Sequence, residues 1–271
     1  MCLDLEMQKE SIMGWTRGRL AGVKLLDMAG FILIIAIVAA VALPRLARVR
    51  RAANEAQAVL LLRHLAASEG NFKRSGAVDQ DADGMGEYGL LAELAGQVPL
   101  RAGQARLSTP LVPQQLLAAI RRSAGGGEEE GYVSPDGCFL VGGYVYRAYL
   151  AAAVDENQSV QVGDDRTLGG TRSHAGATLT DVDAIDLQEQ HFAIYAWPLE
   201  AGATGERVFV ITETGRLLAT DMKARQYSGR GPLSASNVPA ADSAFTGEVF
   251  VSPLAEGKRG RDGNVWYLLR E

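Results

Sequence analysis

An uninterrupted apolar run near the N-terminus constrains this chain of 271 residues more than any other feature. The segment from Ala29 to Leu43 contains no charged or strongly polar side chain. A helix rises about 1.5 Å per residue, so about 20 residues cross the ~30 Å hydrocarbon layer of a bilayer. With the apolar residues of segment 25–28 added, the run is long enough for one crossing, interrupted only by Asp27. The sequence therefore predicts one membrane-spanning helix.

Charge is unevenly distributed along the chain. Lys and Arg number 27 and Asp and Glu number 32, a net charge of −5, and 47% of the residues are hydrophobic. These values exclude disorder throughout, a collagen-like repeat and a basic nucleic-acid coat. Residues 23–75 carry a net positive charge, whereas the chain after Ser75 is strongly acidic. We expect no nucleic-acid partner, because an acidic body repels phosphates.

The residues that could carry catalysis are few and scattered. Two cysteines, Cys2 and Cys138, exclude a disulfide framework and a four-cysteine zinc site. The three histidines lie far apart in sequence, and no His-Glu-x-x-His, Gly-x-Ser-x-Gly or Cys-x-x-Cys motif occurs. A membrane-anchored hydrolase would need a carboxylate pair such as Asp181 and Glu189 to converge. The sequence predicts that the protein is not an enzyme.

Four residues lie at characteristic distances from one another before and after the apolar run. Gly22 is followed by Val23, Asp27 is the fifth residue after that glycine, and Pro44 is the twenty-second. An aspartate at the centre of a bilayer costs ~2.5–3.5 kcal/mol on insertion scales, so such a residue usually has a partner. This pattern, together with the segment Ala39–Pro44, resembles the N-terminus of type IV prepilins and type II secretion pseudopilins.

The resemblance implies a structural subunit of a type IV pilus or a type II secretion pseudopilus. In those families a prepilin peptidase removes the leader, here residues 1–22, by cutting after Gly22, and methylates the new N-terminus at Val23. Asp27 would then neutralise the terminal amine of a neighbouring subunit. The implied partners are the prepilin peptidase, other pilin or pseudopilin subunits and the inner-membrane assembly machinery. The implied location is the inner (cytoplasmic) membrane, crossed once, with the globular domain periplasmic or extracellular.

Three departures and several alternatives accompany this interpretation. Val23 replaces the usual phenylalanine or methionine, Lys24 replaces a small polar residue, and Asp27 replaces glutamate. A second register begins at Gly30, whose following residues match a Gly-Phe-x-Leu-Ile start, but it places Pro44 too early. A signal peptide ending in the small-x-small segment 40–42 is another alternative. The last is an unprocessed single-pass anchor that carries an extracytoplasmic binding module and does not polymerise.

The segment after Pro44 predicts a continuing stem helix. Alanine, leucine and arginine dominate, and no glycine occurs before Gly70. A proline inside a helix predicts a kink at Pro44. Apolar residues at three- and four-residue spacings predict the stripe that packs on the body: Val49, Ala53, Ala56 and Leu60. We expect a transmembrane and stem helix over 23–75 and an extracytoplasmic globular domain over 76–271.

An acidic loop follows the stem and resembles the start of a calcium-binding loop. Asp79, Asp81 and Asp83 alternate and are followed by Gly84. Oxygen ligands at every second residue wrap one ion, and glycine permits the sharp turn. The twelfth loop position is not the glutamate of an EF-hand, so Glu87 would have to substitute for it. Calcium is thus a possible cofactor, and a solvated acidic turn is the alternative. The acidic cluster Asp181, Asp183 and Asp186 is a second candidate of the same kind.

The remaining sequence predicts an α+β body with an antiparallel sheet, a pilin-like architecture when it is joined to the long helix. Short helices are expected over 89–95 and 113–123. Strand signals, with a bulge at Gly142-Gly143 and a short turn over 213–215, occur over 139–150, 191–197, 207–212, 216–220 and 265–269.

The body is also similar to uncharacterised bacterial prepilin-type proteins, a family with no activity to carry over. The similarity covers Asp83-Gly84 to Tyr88-Gly89, Gly131-Tyr132, Tyr144-x-Tyr146-Arg147, Tyr195-Ala-Trp197-Pro198, Gly205, Arg207-Val-Phe209, Gly215-x-Leu217 and Tyr227-Ser228-Gly229.

Overall fold

The long N-terminal helix predicted from the sequence is confirmed. The computed structural model describes residues 25–101, 105–117, 138–155, 159–164, 182–229 and 237–270. Helix α1 runs over Leu25–Ser75, 51 residues with Pro44 inside it. The chain divides into two compact units after Arg48, so the second half of α1 belongs to the same unit as the body.

The body is built around an antiparallel sheet. The described strands are β1 Phe139–Val141, β2 Tyr144–Val154, β3 Val160–Gly163, β4 Ala193–Pro198, β5 Val208–Thr212, β6 Leu217–Thr220, β7 Lys258–Arg259 and β8 Val265–Leu268. Their spatial order is β1-β2-β4-β5-β6-β8-β7, and β3 pairs with β2. Each pairing between these described strands is antiparallel, which agrees with the predicted α+β class.

Both faces of the central strands are covered. All residues of β4, β5 and β6 are buried, in agreement with their nearly continuous apolar sequences. One face packs against the second half of α1 through side chains such as Ile194 and Phe209. The other face, which includes Tyr195 and Trp197, packs against the C-terminal segment around Phe245.

The buried face of α1 differs from the predicted stripe. Val49, Ala53, Ala56 and Leu60 are exposed, so the prediction that they pack on the body is wrong. The buried apolar residues of the helix begin at Ala58 and continue through Leu61, Leu62, Leu65 and Phe72. Leu61, Leu62, Leu65 and Phe72 are larger than the alanines of the predicted stripe, so they cover more of the apolar sheet.

One predicted strand proves to be a hairpin. Gly142 and Gly143 have φ values of +59° and +76°. Two consecutive residues with positive φ are characteristic of the two-residue turn that joins antiparallel strands, and glycine adopts them without a steric penalty. Accordingly Val141 pairs with Tyr144 across the turn. The expected bulge is therefore a chain reversal between β1 and β2.

The other elements agree in part with the sequence. The turn at Gly215 is confirmed, since it separates β5 from β6 and the Gly215 N–H donates to the Thr212 carbonyl at 2.9 Å. Helix α2 spans Leu91–Leu94, and residues 114–117 are helical, while the rest of the expected helix 113–123 lies outside the described residues. Helix α3, Val182–Gln190, was not predicted and packs against β2.

Candidate functional site

The residues of the N-terminal pattern are partly described. Gly22 and Val23, like the expected leader, lie outside the described residues. Asp27 is in the first turn of α1, and Pro44 is inside the same helix. The Pro44 carbonyl accepts a hydrogen bond from Arg48 Nε at 3.4 Å. The acidic residue and the proline therefore occupy one uninterrupted helix.

The apolar run is exposed on every side of the helix. Consecutive side chains from Phe31 to Ile35 are each at least 60% exposed. Five consecutive residues of an α-helix cover a full turn, so no side of this segment is polar. Among the described residues, α1 is the one helix long and apolar enough to cross a membrane, and it fits a single-pass anchor.

The acidic loop after α1 brings the three predicted aspartates together. Carboxylate oxygens of Asp79, Asp81 and Asp83 all lie within 4.8 Å of one another. One oxygen of each carboxylate accepts a hydrogen bond from a loop N–H: Asp79 from Gly84 at 3.2 Å, Asp81 from Asp83 at 3.3 Å and Asp83 from Met85 at 2.7 Å. The second oxygen of each carboxylate is not used in these hydrogen bonds.

Helix α3 contributes two further carboxylates, which lie next to Asp81 of the acidic loop. Asp186 and Glu189 each have a carboxylate oxygen within 4.8 Å of the other's and of one on Asp81. Hydrogen bonds of Gln188 hold the helix against the loop, because its carbonyl accepts from Tyr88 N–H at 2.9 Å. Burial, reinforced by the negative charges of Asp83, Asp81, Asp186 and Glu87, raises the pKa of Glu189 to about 7. Acidic groups therefore converge here from two elements.

Glu87 occupies a different position from the one predicted for it. Among the described residues, it belongs to neither of the two carboxylate groups. Its side chain is fully buried, and Oε1 accepts a hydrogen bond from Gln80 N–H at 2.7 Å. Burial raises the pKa of this carboxyl. The buried carboxyl group of Glu87 thus stabilises the acidic loop by accepting a hydrogen bond from its backbone.

The sequence singles out Asp186 and Glu189 in separate patterns, and it relates neither of them to the acidic loop. The signal that could have joined them is their spacing, since residues three apart lie on one face of a helix. Asp183 is on the same helix and, among the described residues, belongs to neither group. Asp181 lies outside the described residues.

Two other residues with reactive side chains, His191 and Cys138, have structural partners. His191 Nδ1 is 3.1 Å from Glu213 Oε1, and both side chains are partly buried. Cys138 is buried, and its Sγ accepts a hydrogen bond from Arg147 Nε at 2.9 Å.

The chain was compared with known protein families, curated proteins and solved structures. No family model, no curated protein and no solved structure matches the chain. The function is therefore inferred from the residues of this chain and their geometry.

Proposed function

We propose that this protein is a pilin-like structural subunit, cut after Gly22 by a prepilin peptidase and assembled with other subunits into a type IV pilus or a type II secretion pseudopilus. The observation that carries the proposal is the spacing of Gly22, Val23, Asp27 and Pro44 around an apolar run that lies on a single helix. The role is structural rather than catalytic. The body then lies outside the cytoplasm, and the anchor is in the inner membrane.

The position of Asp27 has a physical reason under this proposal. A carboxylate beside a lipid-facing run is unfavourable unless an opposite charge accompanies it. Cleavage after Gly22 creates a free amine on Val23, and the amine of one subunit then pairs with Asp27 of its neighbour. The pair forms only in the assembly, which makes each subunit more stable inside the filament than alone in the bilayer.

The exposed stripe on the second half of α1 supports the same interpretation. Val49, Ala53, Ala56 and Leu60 repeat at alternating spacings of four and three residues, and all are exposed. This spacing is the apolar seam with which helices pack side by side. We assign the stripe to α1 of an adjacent subunit, which would continue the apolar packing begun by the residues after Asp27.

The first experiment is mass spectrometry of the mature N-terminus after purification from membranes of the native host. The expected product begins at a methylated Val23. A protein that begins at Met1 would instead be an unprocessed, non-polymerising anchor. A start after Ala42 would identify a signal peptide, and a start at Phe31 would identify the second register. Each of these three results contradicts the proposed processing.

The second experiment tests Asp27 by in-cell crosslinking of subunits. Asp27→Ala is expected to reduce crosslinked oligomers at least tenfold while the protein remains in the membrane fraction after carbonate extraction. Asp27→Glu is the matched control, because it keeps the charge and should retain assembly. Normal assembly of Asp27→Ala would contradict the proposed pairing.

A further inference from the structure

The carboxylate cluster between the acidic loop and α3 contains a buried oxygen that has no hydrogen-bond partner among the described residues. Glu189 is only 2% exposed, and its Oε1 forms no hydrogen bond within the described part of the chain. The same holds for Oδ1 of Asp79, which is also buried. A buried charged oxygen is costly unless a donor or a cation satisfies it. Each of these atoms belongs to a carboxyl group that reaches the cluster around Asp81.

In the described part of the chain, no lysine or arginine forms an ion pair with a carboxylate of the cluster, which comprises Asp79, Asp81, Asp83, Asp186 and Glu189. Lys73, at the end of α1, donates a hydrogen bond from its ammonium to the backbone carbonyl of Glu189, and the same ammonium lies over the ring of Tyr88. The carboxylates therefore face one another with their charges uncompensated by these side chains.

The ligand chemistry selects a hard divalent cation. Ca²⁺ takes six to eight oxygen ligands at about 2.3–2.6 Å, so ligands on opposite sides of the ion lie about 4.8 Å apart. The oxygens of both carboxylate groups fall within that span. Mg²⁺ requires shorter, near-octahedral coordination and keeps several waters, which suits a cluster of five carboxylates less well. The site contains no sulfur or imidazole ligand among the described residues, which disfavours zinc and copper.

We infer that Asp79, Asp81 and Asp83 of the loop and Asp186 and Glu189 of α3 form a Ca²⁺ site, with Asp81 shared by the two sets. The loop follows directly after α1, and α3 packs against β2. Bound Ca²⁺ would therefore join the loop that follows the stem helix to α3, with oxygen ligands from the loop and from α3. This inference is independent of the proposed assembly, because it concerns the body alone.

The test is isothermal titration calorimetry of CaCl2 into the full-length chain in detergent, after removal of metals with EGTA. The wild-type protein is expected to give a saturable heat and to bind Ca²⁺ at least tenfold more tightly than Mg²⁺. Glu189→Gln keeps the shape of the side chain and removes its charge, and should weaken Ca²⁺ binding at least tenfold. Asp81→Asn, at an exposed position, should also weaken Ca²⁺ binding at least tenfold. This variant tests the site if Glu189→Gln, at a buried position, does not fold.

The matched control is Asp183→Asn, which removes one charge from the same helix at a position outside both groups. Its affinity for Ca²⁺ should remain within twofold of the wild-type value. The inference is overturned by the absence of a saturable heat, by equal affinity for Ca²⁺ and Mg²⁺, or by unchanged binding in both Glu189→Gln and Asp81→Asn. A loss in Asp183→Asn as large as in Glu189→Gln also overturns it, since binding would then follow net charge only.

Discussion

Glu55 on α1 and Arg207 before β5 form an ion pair in which Oε2 of the glutamate lies 2.8 Å from Nε and 2.7 Å from Nη2 of the arginine. The other carboxylate oxygen accepts the backbone N–H of Glu206 at 2.8 Å. Asn54 donates to the carbonyl of Thr204 at 2.9 Å in the same region. These contacts fasten the connection between β4 and β5 to the stem helix.

Glu55→Gln is expected to lower the free energy of unfolding by about 1–3 kcal/mol, because an amide offers one acceptor where the carboxylate oxygens satisfy two groups. The measurement is denaturant unfolding of the full chain in detergent, followed by the fluorescence of the buried Trp197 and Trp266. Glu206→Gln is the control. Its side chain is 63% exposed in an ion pair with Arg51, so its effect should stay below about 1 kcal/mol. Equal losses in the two variants would contradict the proposed role of Glu55.

A leucine pair on α1 tests which face of the helix is buried. Leu62 is fully buried and Leu60 is 60% exposed. Leu62→Ala should cost about 2–5 kcal/mol through lost contacts and a residual cavity, whereas Leu60→Ala should stay within about 0.5 kcal/mol. The same fluorescence-detected unfolding measures both. The reverse order would restore the stripe predicted from the sequence as the packing face.

Under the proposed assembly, the exposed stripe of Val49, Ala53, Ala56 and Leu60 contacts a neighbouring subunit, and this proposal has its own test. Leu60→Lys is expected to leave unfolding unchanged and to lower the crosslinked fraction of subunits in cells severalfold, because it inserts a charge into an apolar helix seam. Lysine at the neighbouring basic position, Arg63→Lys, is a control that keeps the charge and should not affect assembly. Unaltered crosslinking of Leu60→Lys would count against the assignment of this stripe to a neighbouring subunit.

Two glycines should respond in opposite directions to the same substitution. A Cβ on Gly205 would lie within 2.7 Å of three atoms of the Tyr144 ring and hydroxyl. Because Tyr144 is fully buried, its ring has no space to move, and Gly205→Ala should cost about 1–3 kcal/mol or more. Gly70 is inside α1, and its Cβ would meet only Arg74 Nη1 at 3.4 Å. Gly70→Ala should therefore stabilise the protein by about 0.5–1 kcal/mol. Thermal unfolding of both variants checks the signs.

The hydroxyl of Tyr195 anchors the C-terminal segment on the second face of the sheet. It donates to the Ala241 carbonyl at 2.9 Å and accepts the Ala244 N–H at 3.0 Å, and complete burial raises the pKa of the phenol well above its usual value. Tyr195→Phe leaves both backbone groups without this partner and should cost about 1–3 kcal/mol. Tyr267→Phe removes a more exposed hydroxyl that bonds Asp221 and Arg207, and should cost less than about 1 kcal/mol in the same unfolding assay.

Sequence patterns within a single segment located helix α1 and strands β4 to β6 correctly. The hairpin at Gly142-Gly143 and helix α3, which depend on contacts with other segments, were not predicted. Helix α1 and strands β4 to β6 follow from composition and apolar runs, which neighbouring residues specify. The segment 139–150 has the side chains of one continuous strand, yet the positive φ of Gly142 and Gly143 divides it into two. Helix α3 has only a weak apolar pattern, so its packing against β2 is what defines it.

The sequence likewise predicts only one part of the candidate calcium site, the three aspartates of the loop. Asp79, Asp81 and Asp83 alternate within one loop, so their proximity follows from the sequence. Glu189 is more than 100 residues away along the chain, and no local pattern relates it to Asp81. Only the hydrogen bonds of Gln188 and the position of α3 on the sheet bring the two carboxylates together.

By itself, the sequence determined the apolar helix, its acidic and proline positions and the antiparallel class of the body, because each depends on residues that are close in the chain. The tertiary structure alone decided which face of α1 is buried, since that helix carries two apolar stripes and only contact with the sheet distinguishes them. It also decided that α3 meets the acidic loop. The physical reason is that burial and charge convergence are properties of surfaces brought together from distant segments, and spacing along one segment does not specify them.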